Sequence, residues 1–100
     1  MKVISYEFES SLDYPSCIVE DKTGKYKIKC YPYGIYFFDN KNAIKPKLIV
    51  KFLRKHNEYI VAEFRTMESI NEMLNYIIVI AEKTETFEDI INILQMEDIL

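Results

Sequence analysis

The sequence predicts an α+β domain, in which an antiparallel sheet of four to five short strands packs one face against helices. Two patterns predict it. Short segments with alternating apolar and polar residues dominate the first part of the chain, and apolar residues at helical spacing dominate the last third. The chain has 100 residues, of which 49% are hydrophobic, so we expect residues 1–100 to form a single domain with one core.

Two of the predicted strands are read directly from their side-chain pattern. In residues 2–9, Ile4, Tyr6 and Phe8 alternate with polar residues, which predicts a half-buried strand with these three side chains on its apolar side. Residues 35–38 are apolar throughout and predict a shorter, more fully buried strand.

A β-hairpin is predicted between them, with strands at residues 17–20 and 25–31. Its turn contains Asp21 and Gly24, which are typical turn residues. The segment therefore adds two neighbouring antiparallel strands to the sheet.

The register of this hairpin decides whether Cys17 and Cys30 can bond. A two-residue loop of Thr23 and Gly24 places the cysteines opposite each other and permits a disulfide. A three-residue loop with Gly24 in a bulge places Cys17 opposite Lys29 and does not. The sequence leaves both registers open, and reduced thiols are the default in a cytosolic protein.

The segment 46–56 is predicted to be a short basic helix. Its apolar residues share one face at 3.6 residues per turn, its basic residues share the opposite face, and Pro46 suits the first helical position. Residues 59–65 are rich in β-forming residues and are predicted to form a fifth strand.

A C-terminal αα-hairpin completes the predicted fold. Residues 67–83 form the first helix, and Val79 and Ile80 widen its apolar stripe so far that it must be covered on two sides. Thr86 is the predicted N-cap of the second helix, with Asp89 in the position of a capping-box partner. Because the first helix has surplus apolar surface, we expect the protein to form a homodimer.

Charge is distributed in blocks along the chain. Residues 22–56 hold ten basic residues against one carboxylate, whereas residues 1–21 and 57–100 are acidic. The basic residues are expected to form two outward stripes, one on a strand and one on the predicted helix, made of Lys25, Lys27, Lys29, Lys47, Lys51, Arg54 and Lys55. Interleaved tyrosines such as Tyr26, Tyr31 and Tyr36 make these stripes a candidate site for nucleic-acid phosphates and stacked bases.

Three other interpretations of these charges stay open. The lysines are a solvated face neutralised by the acidic helices, or they bind a protein partner with an acidic surface. In the third, the carboxylates of the helices mimic a nucleic acid. Ammonium groups that mostly contact Glu and Asp of the same subunit would argue against a polyanionic ligand.

The sequence contains no residue pattern typical of catalysis. His56 lies at the end of the predicted basic helix, where an imidazolium can cap carbonyl groups. Together with Cys17 and Cys30 it is too scattered for a zinc site, and Gly24 and Gly34 cannot form a phosphate-binding loop. We therefore predict no catalytic residue, metal or cofactor and expect a protein that is not an enzyme. A hydrolase built from converging carboxylates is the remaining catalytic alternative.

The functional hypothesis is a small, self-associating, non-enzymatic interaction module. The residue usage, rich in Ile, Lys, Asn and Tyr without Trp, is typical of AT-rich genomes and suggests an accessory protein of a virus or mobile element. Glu7 comes too early for a secretory signal and the apolar run 77–81 is far too short to span a membrane, so we expect a cytoplasmic protein, in the host cytoplasm if it is viral. The alternative is a nucleic-acid-binding protein that contacts phosphates through the basic segment 22–56.

Overall fold

The computed structural model describes residues 1–8, 10–11, 13–31, 34–39, 47–49 and 67–97. The elements are β1 (Lys2–Glu7), β2 (Ser16–Asp21), β3 (Gly24–Tyr31), β4 (Gly34–Asp39), β5 (Lys47–Ile49), α1 (Met67–Lys83) and α2 (Phe87–Met96). The strands form an antiparallel sheet in sequence order, β1-β2-β3-β4-β5. The predicted α+β fold, with an antiparallel sheet and two C-terminal helices, is confirmed.

Alternation along the central strands decides which side chains enter the core. Tyr26, Ile28 and Cys30 of β3 are buried, while the residues between them are half-buried or exposed. The inward residues of β2, β3 and β4 join the apolar faces of both helices in one buried cluster. We call the helix-packed side of the sheet the inner face and the opposite side the outer face.

The β2–β3 hairpin adopts a register that differs from both sequence-based alternatives. Lys22 and Thr23 form the loop, and Asp21 pairs with Gly24. The Asp21 carboxylate accepts hydrogen bonds from the backbone N–H groups of Thr23 (2.7 Å) and Gly24 (3.2 Å), which moves the turn one position towards the N-terminus. Gly24 has φ = 141°, a value that residues with a Cβ avoid.

This register keeps Cys17 and Cys30 apart as free, buried thiols. Cys17 lies opposite Ile28, and Cys30 lies two residues further along β3 on the same inner face. Burial raises the pKa of Cys17 to about 12, and burial together with the neighbouring Cys17 raises the pKa of Cys30. Both side chains stay protonated at neutral pH, so neither is a reactive thiolate.

Residues 47–49 are a strand, where the sequence predicts the beginning of the 46–56 helix. β5 pairs with β4, with Phe38 opposite Leu48 and Asp39 opposite Lys47. The free backbone groups at the edge of β4 offer this apolar segment a ladder of hydrogen bonds, and that tertiary contact outweighs its helical periodicity. Residues 50–56 of the predicted helix, with His56, and the predicted strand 59–65 lie outside the described residues.

The helices α1 and α2 match the predicted αα-hairpin. The Thr86 hydroxyl accepts from the Asp89 N–H at 3.2 Å and the Asp89 carboxylate accepts from the Thr86 N–H at 3.1 Å, so the predicted capping box is present. The wide stripe of α1 is covered on two sides, by the sheet and by α2, and Ile80 is buried while Val79 is 37% exposed. Neither of these two helices has the length and apolar character needed to cross a bilayer.

Candidate interaction surfaces

The strand β1 lies at the end of the sheet. It pairs with β2 on one side, and among the described strands none pairs with its other side. Along Lys2–Glu7 only Val3 is shielded, and the other residues are exposed. The peptide groups on the open side are therefore a template on which another strand can add.

Exposed apolar side chains are concentrated on this strand and the residue that follows it. Ile4 is 38% exposed, Tyr6 is 54% exposed and Phe8 is 44% exposed. The rings of Tyr6 and Phe8 pack edge to face with centroids 5.6 Å apart. In the rest of the described chain, the exposed large apolar side chains are Val79 and Met96. The expectation that the apolar side of this strand is buried is therefore wrong.

A β-bulge in the middle of β1 changes the position of Ile4. Val3 lies opposite Val19 and Ser5 lies opposite Ile18, so Ile4 is an additional residue without a partner of its own on β2. An additional residue shifts the alternation of side chains by one position. Val3 and Tyr6 both lie opposite inward residues of β2, so Tyr6 is on the side that the sequence predicts, and Ile4 is the residue that the bulge displaces. Tyr6 is exposed because β1 is the last strand of the described sheet.

A second surface is the lysine row of β3, formed by Lys25, Lys27 and Lys29. These residues take alternate positions of the strand, between inward residues, and therefore lie on the outer face as the sequence predicts. Their spacing along the strand is roughly 7 Å from one lysine to the next. The sheet thus orders three of the predicted phosphate-binding residues.

One member of the lysine row is held by a carboxylate of the same chain. The Lys29 Nζ atom lies 2.6 Å and 2.7 Å from the two carboxylate oxygens of Asp13 and 5.4 Å from the centroid of the Tyr31 ring. The hydrogen bond from Lys29 holds the pKa of the Asp13 carboxyl below its ordinary value. Partial burial opposes the charge on Lys29, but the interactions with Asp13 and Tyr31 together outweigh it and raise the pKa of the ammonium group.

The other two lysines have different surroundings. Lys25 lies opposite Glu20 of β2, so a carboxylate stands beside it as well. Lys27 lies between Ile18 of β2 and Phe38 of β4. Asp13 interacts electrostatically with Lys27 as well as with Lys29, and Glu20 lies opposite Lys25, so the row has less uncompensated positive charge than the sequence suggests.

The tyrosines near the lysine row pack against other aromatic rings of the same chain. Tyr31 contacts Tyr14 and Tyr36 edge to face, with centroid distances of 5.2 Å and 5.1 Å. Tyr26 is buried on the inner face and stacks on Phe87 at 4.0 Å with an interplanar angle of 4°. Tyr26 is therefore a core residue and is not available for stacking with a base.

The remaining predicted site residues do not join this row in the described chain. The backbone of Lys47 pairs with Asp39 in β5. Lys51, Arg54 and Lys55 lie outside the described residues. Of the two predicted basic stripes, the structure therefore describes the one on β3, and the one on the predicted helix lies outside the described residues except for Lys47.

A small cavity of about 130 Å³ opens between β1 and β2, with Glu7, Ser16 and Lys27 in its lining. Pockets for small-molecule ligands are usually about 300–1,000 Å³, so this one is below that range. Among the described residues, no group of three or more His, Cys, Asp or Glu side chains is arranged to hold a metal ion.

The open edge of β1 and the lysine row of β3 are therefore the two surfaces of the described chain with a clear chemical character. The first is apolar with unpaired backbone groups, and the second is basic with partial internal compensation. Comparison of the chain with protein-family models, curated proteins and solved structures found no match.

Proposed function

We propose that the protein is a small, non-enzymatic interaction module that associates with itself through the open edge of β1. The observation that carries this proposal is the exposure of Ile4 and Tyr6 on the strand that ends the described sheet, and of Phe8 directly after it. Exposed apolar side chains beside unpaired peptide groups favour pairing with another strand, because pairing buries the former and satisfies the latter.

A binding role fits the described chemistry better than catalysis. The thiols of Cys17 and Cys30 are buried and protonated, which removes them as nucleophiles. The cavity between β1 and β2 is small, and it combines one carboxylate with one ammonium group. By contrast, three of the five exposed large apolar side chains of the described residues lie on β1 or directly after it.

The proposal is tested by light scattering on protein eluted from a size-exclusion column at micromolar concentration. We expect a dimer for the wild type and a monomer for Ile4→Lys, because a lysine at the edge brings a charge into the buried strand pair. Val79→Lys is the matched control, since Val79 on α1 is 37% exposed and Ile4 is 38% exposed. The control should remain a dimer.

Two results would contradict this proposal. A wild-type monomer at micromolar concentration would remove self-association altogether. Dissociation by Val79→Lys with no effect of Ile4→Lys would move the interface to α1, whose wide apolar stripe was the basis of the dimer predicted from the sequence.

Binding of nucleic-acid phosphates by the lysine row is a second candidate function. The shared outward face of Lys25, Lys27 and Lys29 favours it, while Asp13 and Glu20 weaken it by offsetting two of the charges. Three contacts to duplex phosphates would give a slope of about −3 for log K against log salt. The probes are mixed-sequence single- and double-stranded DNA and RNA.

A matched pair of variants makes this titration specific for the row. Lys27→Gln should reduce the salt slope by about 1, whereas Lys22→Gln in the hairpin loop, which removes the same charge elsewhere, should leave it unchanged. Weak binding that does not vary with salt, or equal effects of both variants, would exclude the row as a phosphate site.

A cytoplasmic location is part of the proposal. Two buried, unbonded cysteines on neighbouring strands suit a reducing compartment. The proposed origin as an accessory protein of a virus or mobile element rests on the AT-rich residue usage alone.

A further inference from the structure

We infer that the partner of the β1 edge is the β1 strand of a second copy of this chain, paired antiparallel so that Lys2 of each copy lies opposite Glu7 of the other. The inference rests on the proposed function, because it names the partner and the register at the same edge. It is carried by the bulge at Ile4 and by the charges at the two ends of the strand.

The bulge places the two charged residues of β1 on the same face. Lys2 lies opposite Glu20 and Glu7 lies opposite Ser16, and these two partners are four residues apart on β2. Residues separated by an even number share a face of a strand, so Lys2 and Glu7 share the outer face. In a strand without a bulge, residues 2 and 7 would point to opposite faces.

The same reasoning applies to the inner face. Val3 lies opposite Val19 and Tyr6 lies opposite Cys17, two residues apart on β2. Val3 and Tyr6 therefore both lie on the inner side. Because the direction of the peptide groups alternates in step with the side chains, Val3 and Tyr6 also direct their N–H and C=O groups to the same edge.

These properties make β1 complementary to its own copy. In an antiparallel pair, opposite residues must share a face and a hydrogen-bonding direction. A two-fold axis between Ile4 and Ser5 sets Lys2 against Glu7 and Val3 against Tyr6, and each pair meets both conditions. All residues of Lys2–Glu7 then have a partner, and the two sheets join into one.

The chemistry of the pairs favours a second copy over an unrelated strand. A two-fold interface repeats each contact, so the Lys2–Glu7 pair forms at both ends of the strand pair. On the inner face the side chain of Tyr6, 54% exposed in the single chain, covers Val3 of the other copy. Opposite charges at the ends and the Val3–Tyr6 pairs inside them specify one register.

Charge reversal tests the register. Lys2→Glu sets two pairs of carboxylates against each other in its own dimer, and Glu7→Lys sets two pairs of ammonium groups against each other. We expect each single variant to raise the dimer Kd by about ten-fold or more. A mixture of the two variants should form heterodimers with the affinity of the wild type, because every end pair is again of opposite sign. Native mass spectrometry of the mixture, with one variant isotope-labelled, measures this preference.

Matched controls separate the register from net charge. Lys22→Glu and Glu72→Lys make the same charge changes at exposed positions outside β1 and should leave the Kd unchanged. Glu20 lies opposite residue 2 in the same chain, so Lys2→Glu also creates a repulsion within the monomer. This repulsion is the same in the homodimer and in the heterodimer, so the preference for heterodimers in the mixture does not depend on it.

The outcomes distinguish the two proposals. The register would be overturned if the wild type forms a stable dimer, neither charge reversal changes the dimer Kd, and the mixed variants show no preference for heterodimers. In that case the result for Ile4→Lys alone decides whether the proteins associate through the edge of β1. A wild-type monomer would overturn both. Weakening by both single variants with no recovery on mixing would also overturn the register, because damage to each fold would then explain the loss.

Discussion

At the residue scale, Asp21 connects more of the fold than any sequence pattern predicts. Its Oδ1 atom accepts hydrogen bonds from Thr23 and Gly24 in the hairpin turn, and its Oδ2 atom accepts from the Phe87 N–H at 2.8 Å. Phe87 is the first residue of α2, so one carboxylate joins the β2–β3 turn to the positive end of a helix. The sequence identified Asp21 as a turn residue only.

Asp21→Asn tests this connection. We expect the free energy of unfolding at neutral pH to fall by about 1–2 kcal/mol, because the amide weakens hydrogen bonds at a turn and at a helix N-terminus. Urea denaturation measures the change. Glu82→Gln, an exposed carboxylate on α1, is the control and should be neutral.

The pH dependence of stability follows from the same contacts. Partial burial opposes the ionisation of Asp21, but the hydrogen bonds from Phe87, Thr23 and Gly24 outweigh it and hold its pKa below the ordinary value. The stabilisation is therefore complete above the pKa of the unfolded chain and is lost as the pH falls through the lower pKa of the folded chain. Asp21→Asn should lose this part of the acid dependence. An unchanged acid profile in the variant would show that other carboxylates account for it.

At the element scale, α2 enters the core through four buried residues, and the first of them, Phe87, makes its aromatic contacts with the sheet. The Phe87 ring is 4% exposed, stacks on Tyr26 and meets Phe37 edge to face at 5.6 Å. The capping box of Thr86 and Asp89 fixes the start of the helix beside this contact. The start of α2 is thus fixed by a cap and by an aromatic contact at neighbouring residues.

Replacing Phe87 tests the weight of this contact. Phe87→Ala should lower the free energy of unfolding by about 3–4 kcal/mol, since it leaves a cavity between α2 and the sheet. Phe87→Leu keeps most of the volume and should cost about 1 kcal/mol. Chemical denaturation of both variants measures the difference. Equal, small losses would indicate that the helix is held elsewhere.

The elements also show where sequence reasoning succeeds and fails. The αα-hairpin was predicted because helical periodicity and a capping box are local signals, read within one turn of the chain. The helix predicted over 46–56 fails at residues 47–49, because an edge of β4 can recruit an apolar segment whatever its periodicity. The bulge at Ile4 was not predicted, because a bulge is defined by the pairing of β1 with β2 and has no signal in the sequence of β1 alone.

At the scale of the whole molecule, the described chain has two unlike faces. The inner face is filled by α1 and α2, and the outer face carries the lysine row together with Glu20 and Asp13. Three of the five large apolar side chains that the described packing leaves exposed lie on β1 or directly after it. Pairing of two β1 edges would extend the sheet without disturbing either face.

Local sequence patterns are sufficient to predict the fold class, the two C-terminal helices and the outward row of Lys25, Lys27 and Lys29, because periodicity and capping are properties of neighbouring residues. Tertiary structure alone decided the hairpin register, the separation of Cys17 from Cys30 and the exposure of β1. Each of these depends on how one strand is aligned with another. A shift of a single residue in that alignment changes which side chains meet and which reach the surface.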